Sequence, residues 1–416
     1  MRLAEIATYV NEKISSSNIT LDQYVTTDSL LQDKRGREYA QNLPPVTTKL
    51  IHYQPGDVLV ANIRPYLKKV WFADCEGGAS SDVLVLRAKN ANDTTFVYAL
   101  LMQDSFYDYA MKGAKGSKMP RGDKNQIMRY EFPIFSPEQR KDIGKFITDI
   151  ESKIAVNRQI NDNLEAMAKQ LYDYWFIQFD FPNEEGKPYK SSGGKMVWSD
   201  ELQMNIPHNW VICRLNDYID KNNTGDWGND TPSNNSIEVG CIRGADILKL
   251  NNLPRRYIKK NNIAKLLSDW DMVIEVSGGS PTQATGRSAL ITPGTIKRNG
   301  GKITCSNFCH AFSFKSYKYS AFFFFAWKMF YVNDTMFNYE GKTSGIKNFM
   351  TETFLANKWV MPKQELVDRF FEQIRSIYSQ IDANIAENNH LTKQRDELLP
   401  LLMNGQVSVN YHLSHD

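Results

Sequence analysis

Basic side chains cluster at three places where the sequence predicts loops. The cations are Arg64, Lys68 and Lys69 in the first cluster, Lys112, Lys115, Lys118 and Arg121 in the second, and Lys342 and Lys347 in the third. Lysine and arginine neutralise DNA phosphates without reading the order of the bases. The clusters therefore favour contact with a nucleic-acid backbone, although a solvated surface charge is the alternative at each single position.

Base reading needs side chains that reach the edges of the bases in a groove, and Arg, Asn and Gln are suited to this role. We expect Arg243, Gln283 and Arg287 to be such residues. Gly278 and Gly279 lie shortly before the last two, and glycine allows a backbone to approach a phosphate closely. These side chains are therefore the candidates for sequence-specific contacts.

The sequence lacks the common signatures of catalysis. It contains no Gly-x-x-x-x-Gly-Lys-Ser/Thr phosphate loop, no His-Glu-x-x-His zinc helix and no Gly-x-Ser-x-Gly elbow. Cys305, Cys309 and His310 have ligand-like side chains, but a zinc site needs about four ligands and no second Cys/His pair is near in sequence. We therefore expect a binding protein and not an enzyme, with two structural cysteines on a strand and no metal.

Length and composition predict several domains and no membrane segment. The chain of 416 residues is long enough for two or three domains, and its formal charge of only +3 means that DNA contact must come from clustered cations. Five scattered cysteines and an N-terminus unlike a secretory signal fit a reduced, cytoplasmic chain. The most apolar run, residues 321–327, is too short to cross a bilayer and is predicted to be a buried helix.

An internal repeat organises the chain. At a constant offset of 227 residues Lys115 aligns with Lys342, and Ile147 aligns with Ile374. Upstream, the offset is smaller, since residues 56–60 face residues 270–274. Loops of different length between shared elements explain this change, so the chain contains two copies of one unit.

The last part of each copy has residues spaced three and four apart, which is the pattern of a coiled-coil seam. The expected seam residues are Ile147, Ile150, Ile154, Asn157, Asn161, Leu164 and Leu171 in the first copy, and Ile374, Ile377, Ile381, Asn384, Asn388, Leu391 and Leu398 in the second. Ser136 and Pro137 mark the start of the first helix, and Pro400 is expected to kink or end the second helix early. Each helix would be about 60 Å long at about 1.5 Å per residue.

If a pseudo-twofold axis relates the two copies, each seam packs against the other helix, and the helices run antiparallel. The four seam asparagines would then fix the register at a cost in stability, unless they lie on exposed faces. Tyr172, Tyr174, Trp175 and Phe176 are more aromatic than a solvated helix end requires. They are predicted to receive partner helices or, alternatively, to pack in the core.

The pattern before each helix, strand-like stretches broken by turn residues, predicts an α+β fold. The predicted segments are a globular domain over residues 1–136, a spacer helix over 137–178, a linker or hairpin over 179–208, a second globular domain over 209–362, a second spacer helix over 363–404 and a C-terminal tail over 405–416. Trp198 and Trp210 are expected to anchor the linker.

Several short motifs, in this order and with the duplication, resemble the specificity subunits of type I restriction-modification systems. They are residues 56–60 followed by Arg64-Pro65, residues 157–176, residues 179–182 with Ile206-Pro207 and Trp210, and residues 391–406. The resemblance covers nearly the whole chain.

The resemblance implies two pseudo-twofold-related target-recognition domains separated by two long antiparallel coiled-coil helices, with each domain reading one half of a split double-stranded DNA site. It implies docking of two methyltransferase subunits and, through them, of restriction subunits. S-adenosylmethionine, ATP and Mg²⁺ would be bound by those partners and not by this chain. A spacer of about 60 Å corresponds to at most about 18 base pairs at about 3.4 Å each, so unread bases between the half-sites are expected.

Two other functions fit parts of the pattern. The chain could be the recognition part of a fused restriction-methylation enzyme, which methyltransferase activity of the isolated chain would reveal. It could also be a coiled-coil scaffold that binds only proteins, which the near-neutral charge supports. DNA binding that weakens with salt would argue against the scaffold.

Overall fold

The computed structural model describes residues 1–46, 48–278, 280, 282–343 and 346–409. The chain divides into two units: residues 1–156 together with residues 388–416, and residues 157–387. Each unit combines helices with β-sheets, so the predicted α+β class is confirmed. Within the described ranges, every helix is too short or too polar to span a bilayer.

The first unit is built from short strands and from helices that follow them in the chain. Its strands are β1 (Ala7–Tyr9), β2 (Lys13–Ser15), β3 (Tyr24–Val25), β4 (Lys49–Tyr53), β5 (Val58–Ala61), β6 (Val70–Phe72), β7 (Gly77–Ala79) and β8 (Val83–Ala88). Its helices are α1 (Leu3–Ile6), α2 (Thr94–Leu101), α3 (Asp104–Lys112), α4 (Lys124–Ile127) and the first part of the long helix α5 (Pro137–Tyr172).

Two sheets pack face to face in the first unit. One is antiparallel with the order β1-β8-β5-β6, and the other has the order β2-β4-β7-β3, in which β3 and β7 are parallel. The first sheet has a helical layer on its other face, so all four residues of β5 are buried. A strand that is covered on both faces reads as a continuous apolar run and not as an alternating one.

The second unit repeats this plan with a different outer layer. Its strands are β9 (Met196–Ser199), β10 (Met204–Pro207), β11 (Val211–Arg214), β12 (Ile219–Thr224), β13 (Ser236–Ile242), β14 (Arg255–Lys259), β15 (Met272–Glu275), β16 (Ser277–Gly278), β17 (Ser288–Leu290), β18 (Ile303–Cys305), β19 (Cys309–Phe314), β20 (Glu340–Thr343), β21 (Ile346–Phe349) and β22 (Lys358–Met361). Its helices are α6 (Pro293–Arg298), α7 (Tyr319–Val332), α8 (Thr351–Leu355), the last part of α5 and the first part of the long helix α9 (Gln364–Met403).

The sheet β12-β19-β15-β17 of the second unit has the strand order of β1-β8-β5-β6, and β15 occupies the place of β5. An aspartate directly precedes each of these two central strands, Asp57 before β5 and Asp271 before β15. The residue before each aspartate has a positive φ, 92° at Gly56 and 69° at Trp270. Asp57 and Asp271 then accept a hydrogen bond from the backbone N–H three residues earlier. The second layer differs, because the three strands β14-β13-β18 replace β2-β4-β7-β3.

The apolar run at residues 321–327 lies in α7 and is buried throughout, as predicted. Phe322, Phe323 and Phe325 pack with Phe370 and Phe371 of α9 in the core of the second unit. The run is therefore a core helix.

In each unit the two long helices pack side by side. In the first unit Arg395 Nη1 lies 2.6 Å from Glu151 Oε1, and Asn388 donates a hydrogen bond to the carbonyl of Ile154. In the second unit Asn157 donates to Glu387 Oε2 at 2.6 Å, and Asn384 donates to Asn161 Oδ1 at 2.8 Å. Residue numbers rise along one helix as they fall along the other, so the helices are antiparallel in both units.

The seam follows most of the expected positions. The structure buries Ile147, Ile150, Ile154, Asn157, Ile374, Ile381 and Asn384, and it half-buries Asn161, Leu164, Leu171, Ile377, Asn388, Leu391 and Leu398. Near the end of each helix the more buried residues are Tyr172 and Leu399, one position beyond Leu171 and Leu398. Steps of three and of four both keep a residue on one helix face, so periodicity alone does not distinguish these neighbours.

The start and the end of the long helices depend on different contacts. Ser136 caps α5 as expected, since its hydroxyl accepts from the N–H of Gln139 and the Gln139 side chain accepts from the N–H of Ser136. Pro400 does not end the second helix early, because α9 continues through it to Met403. The proline removes one N–H from the last turn, and burial of Leu399 and Leu402 around it offsets that loss.

One prediction about aromatic residues needs correction, and one pair of alternatives is decided. Trp198 does not anchor the linker: it is exposed and its Nε1–H donates to Asp200, whereas Trp210 is buried against Phe179 and Phe181. Of the aromatic residues at the end of α5, Tyr172, Trp175 and Phe176 are buried in the core of the second unit, so the core-packing alternative holds for these three. A π turn over residues 173–177 turns Trp175 and Phe176 into this core.

Replacing Arg395 tests the buried ion pair of the seam. The Arg395 side chain is 4 % exposed, and it binds Glu151 and Asp396. Arg395→Ala is expected to lower the free energy of unfolding by about 3–5 kcal/mol, because it leaves the largely buried carboxylate of Glu151 without a cation. Urea unfolding of the full chain measures this. Lys393→Ala, which breaks an exposed pair with Glu397 on the same helix, is the control and should cost less than about 1 kcal/mol; equal losses in the two variants would contradict the assignment.

Candidate nucleic-acid interface

A basic loop follows the central strand β5 of the first unit, over residues 62–69. Arg64 and Lys68 have left-handed backbone conformations, with φ of 51° and 50°, on either side of a 3-10 turn at Pro65–Leu67. Pro65 is buried while Arg64 and Tyr66 are exposed. The buried Pro65 therefore fixes the turn, and Arg64 and Tyr66 on either side of it face solvent.

A basic hairpin, residues 113–123, lies beside this loop. Lys115 and Arg121 exchange backbone hydrogen bonds at 3.0 and 2.9 Å, and the N–H of Arg64 donates to the carbonyl of Pro120 at 2.7 Å. Arg121 also pairs with Ile63 in a β-bridge. The loop and the hairpin thus form one surface, and two of the sequence clusters meet on it.

The predicted cations on this surface fall into two groups. Arg64, Lys112, Lys115 and Lys118 are exposed, and the described residues place no carboxylate in an ion pair with them. Lys68 binds Asp104 at 3.0 Å, and Arg121 binds Asp82 at 2.7 Å. Lys69 donates to the carbonyl of Thr27, and partial burial lowers the pKa of its ammonium group. The first group is available for phosphates, whereas the second holds the surface together.

The second unit has the same arrangement at the same place. A loop over residues 276–287 follows β15, and β16 in this loop pairs with β21 of the β20–β21 hairpin. The bridge of Ser277 to Asn348 corresponds, at the offsets of the repeat, to the bridge of Ile63 to Arg121. Both copies therefore place a loop and a hairpin together beside the common sheet.

Arg287 does not fit the expected role of a base reader. Its guanidinium binds Glu275 through two contacts of 2.8 and 2.7 Å, and the two side chains are 13 % and 4 % exposed. A planar guanidinium that is held by a carboxylate in this way has little freedom to reach a base. Arg287 is thus a structural residue that holds the loop to its strand.

The other candidates of the second unit are placed as follows. Arg243 is half exposed and makes two contacts with Asp246, at 2.7 and 2.9 Å. Gln283 is exposed. Lys347 binds Glu340 at 2.7 Å; burial by itself would raise the pKa of Glu340, but hydrogen bonds from Lys347 and Thr285 outweigh it and lower that pKa. The side chain of Lys342 lies outside the part that the structure describes.

Sequence reasoning missed several exposed residues that could contact DNA. Tyr66 and Met119 are large exposed side chains beside the cations of the first surface, and apolar contacts of this type can recognise a thymine methyl group. In the second unit Arg255, Lys259, Lys260, Lys297 and Lys302 are exposed on and beside β14 and α6. The run Arg255 to Lys260 is visible in the sequence, whereas its proximity to Lys297 and Lys302 depends on the hydrogen bond from Arg255 to the carbonyl of Asn299.

The cysteine cluster has no ligand-binding geometry. Cys305 and Cys309 are buried on β18 and β19, and burial raises the pKa of both thiols, to about 12 for Cys309. Burial lowers the pKa of His310, which contacts Asn222. Among the described residues, no group of three or more His, Cys, Asp or Glu side chains could hold a metal ion. The two cysteines are core residues on strands, as expected.

The arrangement suits recognition of a charged polymer. Exposed cations beside left-handed and glycine-containing turns bind phosphates, and neighbouring exposed polar and aromatic side chains can reach base edges. The loop and hairpin are present on both copies of the sheet, and the exposed cations outside ion pairs among the described residues are on the first copy.

Comparison with known proteins agrees with this geometry. No family model matches the chain. It is 23 % identical to the type I restriction enzyme MjaIX specificity subunit of Methanocaldococcus jannaschii, over 76 % of this chain and 69 % of that protein. It is 22 % identical to the HindI specificity subunit of Haemophilus influenzae, over 88 % of this chain and 89 % of that protein.

A solved structure supports the fold. The S subunit of a type I restriction-modification system from M. genitalium superposes with a TM-score of 0.51, at 14 % identity, and the match covers 97 % of this chain and 95 % of that one. The sequence relatives span most of this chain, and the duplicated units match the resemblance found in its motifs. The chain is therefore similar, over most of its length, to specificity subunits of type I restriction-modification systems.

Proposed function

We propose that this chain selects a two-part double-stranded DNA sequence for methyltransferase and restriction partners, and that it catalyses no reaction itself. The observation that carries the proposal is the repeated surface: the same loop and hairpin on the same antiparallel sheet, once in each unit. One copy would read each half of the site. Different second layers and different side chains on the two surfaces would give the halves different sequences.

The chemistry would reside in the partners. Adenine methylation would use S-adenosylmethionine on two methyltransferase subunits, and cleavage would use ATP and Mg²⁺ on restriction subunits. This chain would supply phosphate contacts through Arg64, Lys112, Lys115 and Lys118, which are exposed and outside ion pairs among the described residues. Base contacts would come from Tyr66, Gln283 and Arg243, the last after release from Asp246.

One exposed face of α5 and of the π turn that follows it is a candidate for docking a methyltransferase subunit. Ile160, Met167, Tyr174 and Ile177 are exposed apolar residues of the second unit, and the first three are spaced by seven residues, or two helical turns. Contiguous exposed apolar patches mark protein interaction sites. The stripe is distinct from the seam, which contains Asn161 and Leu164.

A domain exchange tests whether each unit reads one half of the DNA site. Adenine methylation is mapped in cells that carry the methyltransferase with this chain, without it, or with residues 209–362 replaced by the corresponding segment of a relative. A bipartite motif should appear only when the chain is present, and the exchange should change one half of the motif and leave the other. Methylation that is unaffected by the chain would identify it as a protein-binding scaffold instead.

The role of the exposed cations is tested by salt dependence. Lys118→Met should weaken binding of all duplexes alike, and the slope of log Kobs against log salt concentration should fall by about 0.9, since one phosphate contact is lost. Fluorescence anisotropy of the complex with the methyltransferase measures the slope. Lys393→Met removes an equally exposed lysine from α9 and should leave the slope unchanged; identical slopes for Lys118→Met and wild type would place Lys118 away from DNA.

The docking stripe is tested by introducing a charge. Met167→Asp should reduce capture of the methyltransferase subunit at least tenfold, because an unpaired carboxylate would be buried in the interface. Ala166→Asp is the matched control, since Ala166 is also exposed and points about 100° away on the same helix. Quantitative co-purification compares the two variants, and equal capture by both would exclude this face.

A further inference from the structure

Lys34 is a buried lysine that no feature of the sequence singles out. Its side chain is 8 % exposed, and its Nζ lies 3.0 Å from Asp104 Oδ1 and 3.2 Å from Asp396 Oδ1. Asp104 begins α3, and Asp396 lies near the end of α9; both belong, with Lys34, to the first unit. The ammonium group therefore connects two helices that are distant in sequence.

The backbone around Lys34 holds the basic loop. The N–H of Asp33 donates to the carbonyl of Leu67 at 3.0 Å, and the N–H of Lys34 donates to the carbonyl of Lys68 at 2.8 Å. Asp33 and Lys34 both have left-handed conformations, with φ of 58° and 59°, which point these N–H groups at the loop. Two consecutive backbone hydrogen bonds thus fix the second half of residues 62–69.

The side-chain contacts extend this connection in both directions. Asp104 Oδ2 also accepts from Lys68 at 3.0 Å, and Asp396 Oδ1 also accepts from Arg395. Arg395 in turn binds Glu151 in the seam. A continuous chain of ion pairs therefore runs from the seam of the long helices, through Asp396, Lys34 and Asp104, to the loop.

Energetics favour a positioning role for this lysine. A buried ion pair is weak evidence for stability, because the cost of removing the charges from water is comparable with their attraction. An apolar side chain of similar length would fill the same space. What the ammonium group adds is geometry, since it requires two carboxylates and the loop backbone to keep one arrangement.

We propose that Lys34 is a positioning residue for half-site reading: it ties the loop that carries Arg64 and Lys68 to the last turns of α9, so that recognition by the first unit depends on that helix. The proposal rests on the proposed function. It applies to one half-site only, because the repeat positions of Asp104 and Asp396 in the second unit are Tyr331 and Lys169, which offer no carboxylate.

The test uses the full chain in complex with its methyltransferase, with duplexes that carry the mapped motif or single mismatches in either half. A mismatch ordinarily weakens binding roughly 5- to 150-fold. Lys34→Met should reduce this discrimination at least about threefold in the half read by the first unit and leave the other half unchanged. Lys34→Arg, which keeps the charge, should retain most of the discrimination.

The salt slope separates positioning from contact with DNA. A lysine that bound a phosphate would lower the slope by about 0.9 when removed, whereas Lys34→Met should leave it unchanged. Lys318→Met is the matched control, because it removes a partly buried ion pair with Asp368, also 3.2 Å long, from the second unit. This variant should leave discrimination in the first half-site unchanged.

Several results would overturn the proposal. Unchanged discrimination in Lys34→Met, or an equal loss in both halves, would show that Lys34 serves only the stability of the fold. If Lys34→Met does not fold, Asp396→Asn removes one contact through a carboxylate that is 43 % exposed, and it should produce a smaller loss in the same half-site; no loss would be decisive against the idea. Absence of a bipartite motif in the wild type would instead refute the proposed function itself.

Discussion

The structure depends on one packing constraint: the core of each unit is closed by the far end of a long helix. In the first unit Leu399, Leu402 and Met403 of α9 pack with Leu3, Phe96 and the other residues of the N-terminal core. In the second unit Tyr172, Trp175 and Phe176 of α5 fill the equivalent positions. The first unit is therefore discontinuous in sequence, and the long helices are parts of the globular cores as well as a seam.

This constraint determines how the helices pair. Each unit contains the start of one long helix and the end of the other, so the two segments must run antiparallel within it. The seam then contains both apolar and polar residues, with Asn157 bound to Glu387 and Asn384 bound to Asn161. Such contacts lower stability relative to an apolar seam, but they are satisfied in only one register.

The two copies share one sheet and differ in the layer that packs against it. Their common sheet has one strand order, and even the turn before its central strand is kept, although glycine provides the positive φ in one copy and tryptophan in the other. The partner of the buried aspartate differs. Arg87 binds Asp57, whereas Ser313 is the side-chain hydrogen-bond partner of Asp271, and burial raises the pKa of Asp271. Shared layers support the surfaces, and the second layer is free to diverge.

The sequence by itself determined the repeat, the long helices, the α+β class and the places where basic loops would lie, because periodicity and spacing are local properties of a chain. The positions of Ser136, the seam isoleucines and the apolar run of α7 follow from them. Local patterns do not show that Tyr172 is more buried in the seam than Leu171. Nor do they show that α9 continues beyond Pro400, because both features depend on tertiary packing. Nor do they tell which cations are free. Only the tertiary structure brought Glu275 to Arg287, Glu340 to Lys347, and Asp104 and Asp396 to Lys34, because the partners of a charge are set by contacts between segments that are distant in sequence.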